Sequence, residues 1–175
     1  MEQAAAEQKV RRLVTGHDAQ GRSVIVSDTT AVMERPLHEL WVTHGTPARF
    51  GDAPNPGTLP MDLEPPTSGT VVRLVRFMPS QGMSRDDMER LYTGGFAAIN
   101  ATHTRVDTQR HPAMHRTRTL DYGIVLAGTI KLLMDDGEQE LKPFDVVIQR
   151  GTNHGWVNPG SEPALMAFML IDGAE

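Results

Sequence analysis

HPAMHRTRTLDYGIVLAGTIKLLMDDGEQELKPFDVVIQRGTNHGWVN, residues 111–158, is the stretch whose reading decides the fold. Apolar and polar residues alternate through DYGIVLA (121–127), and TIKLLM (129–134) follows as a second strand. Asp136-Gly137 marks a hairpin between them and EQELK (138–142), because Asp-Gly suits the positive φ values of a tight primed turn. Pro143 interrupts the pairing, DVVIQ (145–149) is the next strand, and RGTN turns into GWVN. Short strands at regular spacing, separated by turns, predict a sandwich or barrel.

Outward from this stretch the pattern continues. ALMAFMLI (164–171) reads as a final buried strand. TVVRLVRFM (70–78) alternates, with Val71, Arg73, Val75 and Phe77 on one face and Val72, Leu74 and Arg76 on the other. ELWVTH (39–44) is a further strand, and KVRRLVT and RSVIVSD flank GHDAQG as a hairpin with His17 in its connection. SRDDMERLYTGG (84–95) carries both ends of a short helix: Ser84 as N-cap, Asp86 and Asp87 in the first turn, and Gly94 after the last. Met88, Leu91 and Tyr92 form its apolar stripe, and GFAAINATHTRVDT (95–108) reads as another strand with His103 near its middle. The first few residues read as a frayed or short helical end. Residues 45–69 are too rich in proline and glycine for a helix or central strand and form a long lid, arm or strap. The expected organisation is one structural domain: residues 1–67 supply N-terminal strands and this loop, packed on a barrel formed by residues 68–175.

Composition bounds the function. With 175 residues, 39% hydrophobic and 22% charged, the chain suits a globular protein. It has no cysteine, which excludes disulfides, thiolate metal sites and a cysteine nucleophile. The formal net charge of -5 and the lack of a dense basic cluster argue against nucleic acid as a partner. Apolar runs are too short to span a membrane, and the N-terminus lacks a secretion signal, so a cytoplasmic location is expected.

His111, His115, Thr117, Thr119 and Asp121 share parity, so an extended segment puts them on one face. Histidine and a carboxylate on an inward face are costly unless paired or bound to a metal. With His154 placed across the barrel, His115 and Asp121 become two thirds of a two-histidine, one-carboxylate set suited to Fe, Mn, Ni or Zn. A hydrogen-bonded structural network is the alternative. Met114, Thr119, Gln149, Trp156 and Met166 are candidates to line the pocket, and Arg150 is a candidate anion anchor.

The stretch resembles the cupin superfamily, in particular its small single-barrel members. Asp121 lies seven residues before Gly128, at the spacing of the acidic residue in the first cupin motif, and His115 and Thr117 occupy its two histidine positions. Pro143, Asp145, Gly151, His154 and Asn158 match the second motif, with Phe144 and Gln149 standing where glycine and proline are usual. The match extends over residues 68–172. The resemblance implies an all-β cupin jelly-roll β-barrel or sandwich with extra N-terminal strands and one short helix, and pairing into a homodimer. It also implies a divalent metal held by His115, Asp121 and His154, with His111 or Thr117 as a possible extra ligand. Thr117 in place of a histidine leaves that ligand set depleted.

Three functions follow as expectations. The first is a metal-assisted lyase or isomerase, such as a dehydratase, or a dioxygenase, acting on a small organic molecule through His115, Asp121 and His154. The second is a non-catalytic binder or sensor of a small molecule. The third is a metal-free enzyme that moves protons with Asp121 or a histidine. No G-x-S-x-G elbow is present, which argues against a serine hydrolase.

Overall fold

The computed structural model describes residues 9–33, 35–51 and 61–174. The expected frayed or helical N-terminal end and the middle of the Pro/Gly-rich segment lie outside these residues. The strands are β1 (Lys9–His17), β2 (Ser23–Val32), β3 (Leu37–Thr43), β4 (Thr70–Phe77), β5 (Thr119–Ala127), β6 (Ile130–Met134), β7 (Glu138–Leu141), β8 (Val146–Arg150), β9 (His154–Val157) and β10 (Ala164–Asp172), with helix α1 (Arg85–Ala98) after β4. They form a five-stranded sheet in the order β3-β4-β10-β5-β8, a three-stranded sheet β7-β6-β9 and a separate hairpin β1-β2. The fold is all-β with one helix, as the strand pattern indicates.

Period-two alternation explains the core. In β5 as far as Val125 and in β10 as far as Leu170 every second residue is buried, and Val125, Met166 and Phe168 meet Ile130, Leu132 and Trp156 from the facing sheet. The Asp136-Gly137 turn is in place, with Gly137 at φ 82° joining β6 to β7. Gly128, between β5 and β6, has φ 73°, and a Cβ there meets the Ala164 Cα and the Pro163 carbonyl at 2.8 Å each. Backbone cannot yield as a side chain can. Gly128→Ala is therefore expected to cost about 2–3 kcal/mol in urea unfolding, combining positive φ with a clash. Gly137→Ala, equally left-handed but open, is expected to cost about 1 kcal/mol.

Two local expectations are corrected. The helix does not stop at Gly94; it runs through Gly94 and Gly95 to Ala98. Its inward row is Met88, Tyr92 and Phe96, at helical spacing, while Leu91 is exposed. Residues 99–108 form no strand: Ile99 caps the helix, Asn100 takes φ 52°, and a 3-10 turn follows at Thr102–Thr104. Ser84 does cap the helix, its hydroxyl accepting the Asp87 N–H. No helix among the described residues is long and apolar enough to cross a membrane.

Candidate functional site

Residues 111–121 do not form one extended face. β5 begins only at Thr119, and His115 bridges to His154, outside the first sheet. The chain thus changes sheets between His115 and Thr119, so shared parity does not carry the two groups to one place.

His115 and His154 are brought together. Each backbone N–H donates to the other's carbonyl, at 2.8 and 2.9 Å, and the ring centroids lie 4.3 Å apart. His115 Nδ1 lies 2.9 Å from the Ala113 carbonyl, and His154 Nδ1 lies 2.9 Å from the Thr152 carbonyl. A carbonyl only accepts, so both Nδ1 atoms carry the proton and both Nε2 atoms present bare lone pairs. Burial, then the neighbouring His154, push the His115 pKa down to about 3; burial also lowers that of His154. Phe96 packs on His115 with centroids 4.9 Å apart, and Trp156 stands edge-on to His154 at 5.8 Å.

Asp121 sits on β5 between Gln149 of β8 and Leu170 of β10, 5% exposed. Its Oδ1 is buried without a hydrogen-bond partner among the described residues. Burial pushes its pKa up to about 6, with Glu64 adding to the rise and Thr119 and Arg73 opposing it. Thr117 and Thr119 are buried and share a hydroxyl–hydroxyl bond of 2.7 Å. His111 accepts the Ala113 N–H at Nδ1, 3.0 Å away, and packs edge-on against Tyr92 instead of joining the pair.

The expected pocket residues are dispersed. Met114 and Met166 are fully buried, and Trp156 and Met166 belong to the core. Gln149 is buried, its amide tied to the carbonyl and hydroxyl of Thr152. Thr117, Thr119 and Gly151 line a pocket of about 420 Å³ whose other walls include Arg116, Arg118 and Arg150.

The geometry tests the expected metal site. Among the described residues no three His, Asp or Glu side chains gather closely enough to hold an ion. The assembled donors are the two imidazoles, while Asp121 lies between Gln149 and Leu170 on the five-stranded sheet. Among the described residues His115, Asp121 and His154 are not gathered as a three-ligand set.

A buried cation escaped the sequence reading. Arg73, on β4, is 1% exposed; its Nη2 donates to the Asp62 carbonyl at 3.0 Å and to Glu39 at 3.4 Å. Glu39 lies beside it on β3, and burial raises its pKa against the pull of Arg73. The signal was present in the parity of TVVRLVRF, which puts a charge between Val71 and Val75 on the inward face.

The chain matches the family described as Cupin domain over residues 102–171. It is 33% identical to the phomopsin biosynthesis cluster protein D of Diaporthe leptostromiformis, over 84% of this chain and 69% of that one. It is 29% identical to a cupin-domain-containing oxidoreductase of Aspergillus ruber, over 94% of this chain and 73% of that one. A cupin 2 conserved barrel domain protein from Salinispora arenicola aligns over 78% of this chain and 74% of its own at a TM-score of 0.41 and 15% identity.

Proposed function

The chain belongs to the cupin family, and on that footing we propose that it is a small-molecule enzyme working by proton transfer in its barrel, with Asp121 as acid and base. One observation carries this reading. Asp121 is a buried carboxyl with an unpartnered oxygen, and its pKa of about 6 suits giving and taking protons near neutral pH. The two neutral imidazoles supply hydrogen-bond acceptors for a substrate hydroxyl or amine. The reaction class is an isomerisation or elimination beside an activating carbonyl.

The relatives' names support a small-molecule substrate, since one is named for a biosynthesis cluster. The name oxidoreductase on another is compatible. Proton removal beside a carbonyl or at a hydroxyl is also half of a two-electron oxidation, when an external acceptor takes the electrons.

Deuterium exchange tests the reading. Protein dialysed against a chelator is incubated in D2O with small ketones and aldehydes, and loss of C–H signals is followed by NMR. Exchange is expected to survive chelation and to fall in Asp121→Asn. Exchange that needs added Fe, Mn, Ni or Zn overturns it.

A second reading rests on the histidine pair. Backbone carbonyls fix both Nδ1 protons, the arrangement that orients imidazoles toward a metal through Nε2. In this reading His115 and His154 hold a divalent ion, with non-protein ligands completing its shell. Near-stoichiometric metal in protein purified without chelator, lost in His154→Ala, would favour it.

A further inference from the structure

Arg73 has more donors than its surroundings use. A guanidinium carries five N–H bonds. Nη2 is engaged by the Asp62 carbonyl and Glu39, while Nε and Nη1 are buried with no partner among the described residues. Leaving such donors unpaired costs about 1–3 kcal/mol each. A purely structural role does not call for this residue, since apolar replacements of buried ion pairs are often as stable. On the same sheet, Asp121 leaves an acceptor unpaired. The two inward positions are close in register: Arg73 is level with Phe168 and Gly123, and Asp121 is two residues before Gly123 on β5. Their charges influence one another, yet no bond joins them.

We propose that Arg73 is a catalytic residue that receives the carbonyl oxygen of the substrate and stabilises it as an enolate while Asp121 takes the adjacent proton. This rests on the proton-transfer reading above and names its substrate class. The C–H bond breaks, its electron pair moves into the C–C–O unit, and the proton forms an O–H bond with Asp121. Returning that proton to a different atom of the enolate completes an isomerisation.

Charge decides for a carbonyl over a carboxylate at this position. Arg73 and Glu39 offset one another, while Asp121, Asp62 and Glu64 leave the cluster net negative. A carboxylate would add a further negative charge in a poorly screened interior. A ketone or aldehyde adds none, and the step only moves the negative charge from Asp121 to an oxygen beside Arg73. Asp62 to Glu64 close over the cluster. Besides the Asp62 contact, Leu63 N–H donates to the Ile99 carbonyl at 3.0 Å, and Glu64 meets Arg118 N–H and His103 at 2.9 Å each. Arg73 is 1% exposed, so a substrate reaches it only by displacing these contacts.

The test uses 1-phenylbutane-1,3-dione, whose enolate has its own ultraviolet band, and benzoate as a carboxylate of similar width. The wild-type protein is expected to bind the dione and raise its enolate fraction about tenfold, one pKa unit. Arg73→Lys, checked for folding by circular dichroism, is expected to lose that rise. Glu39→Gln keeps Arg73, removes its counter-charge and is expected to increase the enolate further. An unchanged enolate fraction in folded Arg73→Lys overturns the proposal, as does Arg73-dependent binding of benzoate that is tighter than that of the dione. Asp121→Asn separates the two readings: if Asp121 is not the base, exchange persists in that variant whatever Arg73 does to the enolate.

Discussion

Asp121→Asn is expected to lower proton-exchange activity about 10²–10⁴-fold while making the protein more stable at pH 8. The two effects share a cause. The Asp121 pKa is about 6 in the folded protein against an ordinary 3.8, so the folded state binds this proton more tightly than the unfolded chain does. Stability from this group is therefore lost as pH rises from about 4 to 6, and the whole penalty stands above pH 6. About two pKa units correspond to roughly 3 kcal/mol. Asparagine keeps the shape and removes the charge. Urea unfolding should show a gain of about 1–3 kcal/mol at pH 8 that disappears at pH 4. Lost stability at pH 8 with activity retained would make Asp121 a structural anchor and remove it from the chemistry.

This combination of charge and burial was only partly legible in the sequence. The alternation of β5 and β10 and the Asp136-Gly137 turn are local signals, and each formed as its residues dictate. Parity also put Asp121 on an inward face. It failed between His115 and Thr119 because a strand pattern does not record a change of sheet; here the His115–His154 bridge sets where the chain crosses. Arg73 was legible as an inward charge, but its partners Asp62 and Glu39 lie 11 and 34 residues away in sequence, joined by no motif. The helix overran its glycines for a similar reason. Each glycine costs about 1 kcal/mol in a helix, and packing of Phe96 against the His115 ring offsets this, a contact made across the fold.

The histidine pair has the opposite pH signature, and its consequence is acid sensitivity. His115 has a pKa of about 3 in the folded protein against an ordinary 6.5. Its contribution to stability is fully present above pH 6.5 and is lost as pH falls toward 3, because the unfolded chain gains a proton that the folded state refuses. At pH 5 the unfolded chain holds about one more proton at this site, a slope of about 1.4 kcal/mol per pH unit. His154 acts in the same direction. Asp121 opposes them at this pH, holding about one proton more when folded. Removing one group at a time isolates each sign. Relative to wild type, the slope of unfolding free energy against pH near 5 is expected to become steeper by about one proton in Asp121→Asn and shallower by about one proton in His115→Asn. Urea midpoints at pH 4.5, 5 and 5.5 measure both. Equal slopes in all three proteins would mean that neither group is held away from its ordinary pKa, and a fold that keeps two histidines neutral and a carboxyl protonated near pH 5 would no longer describe this protein.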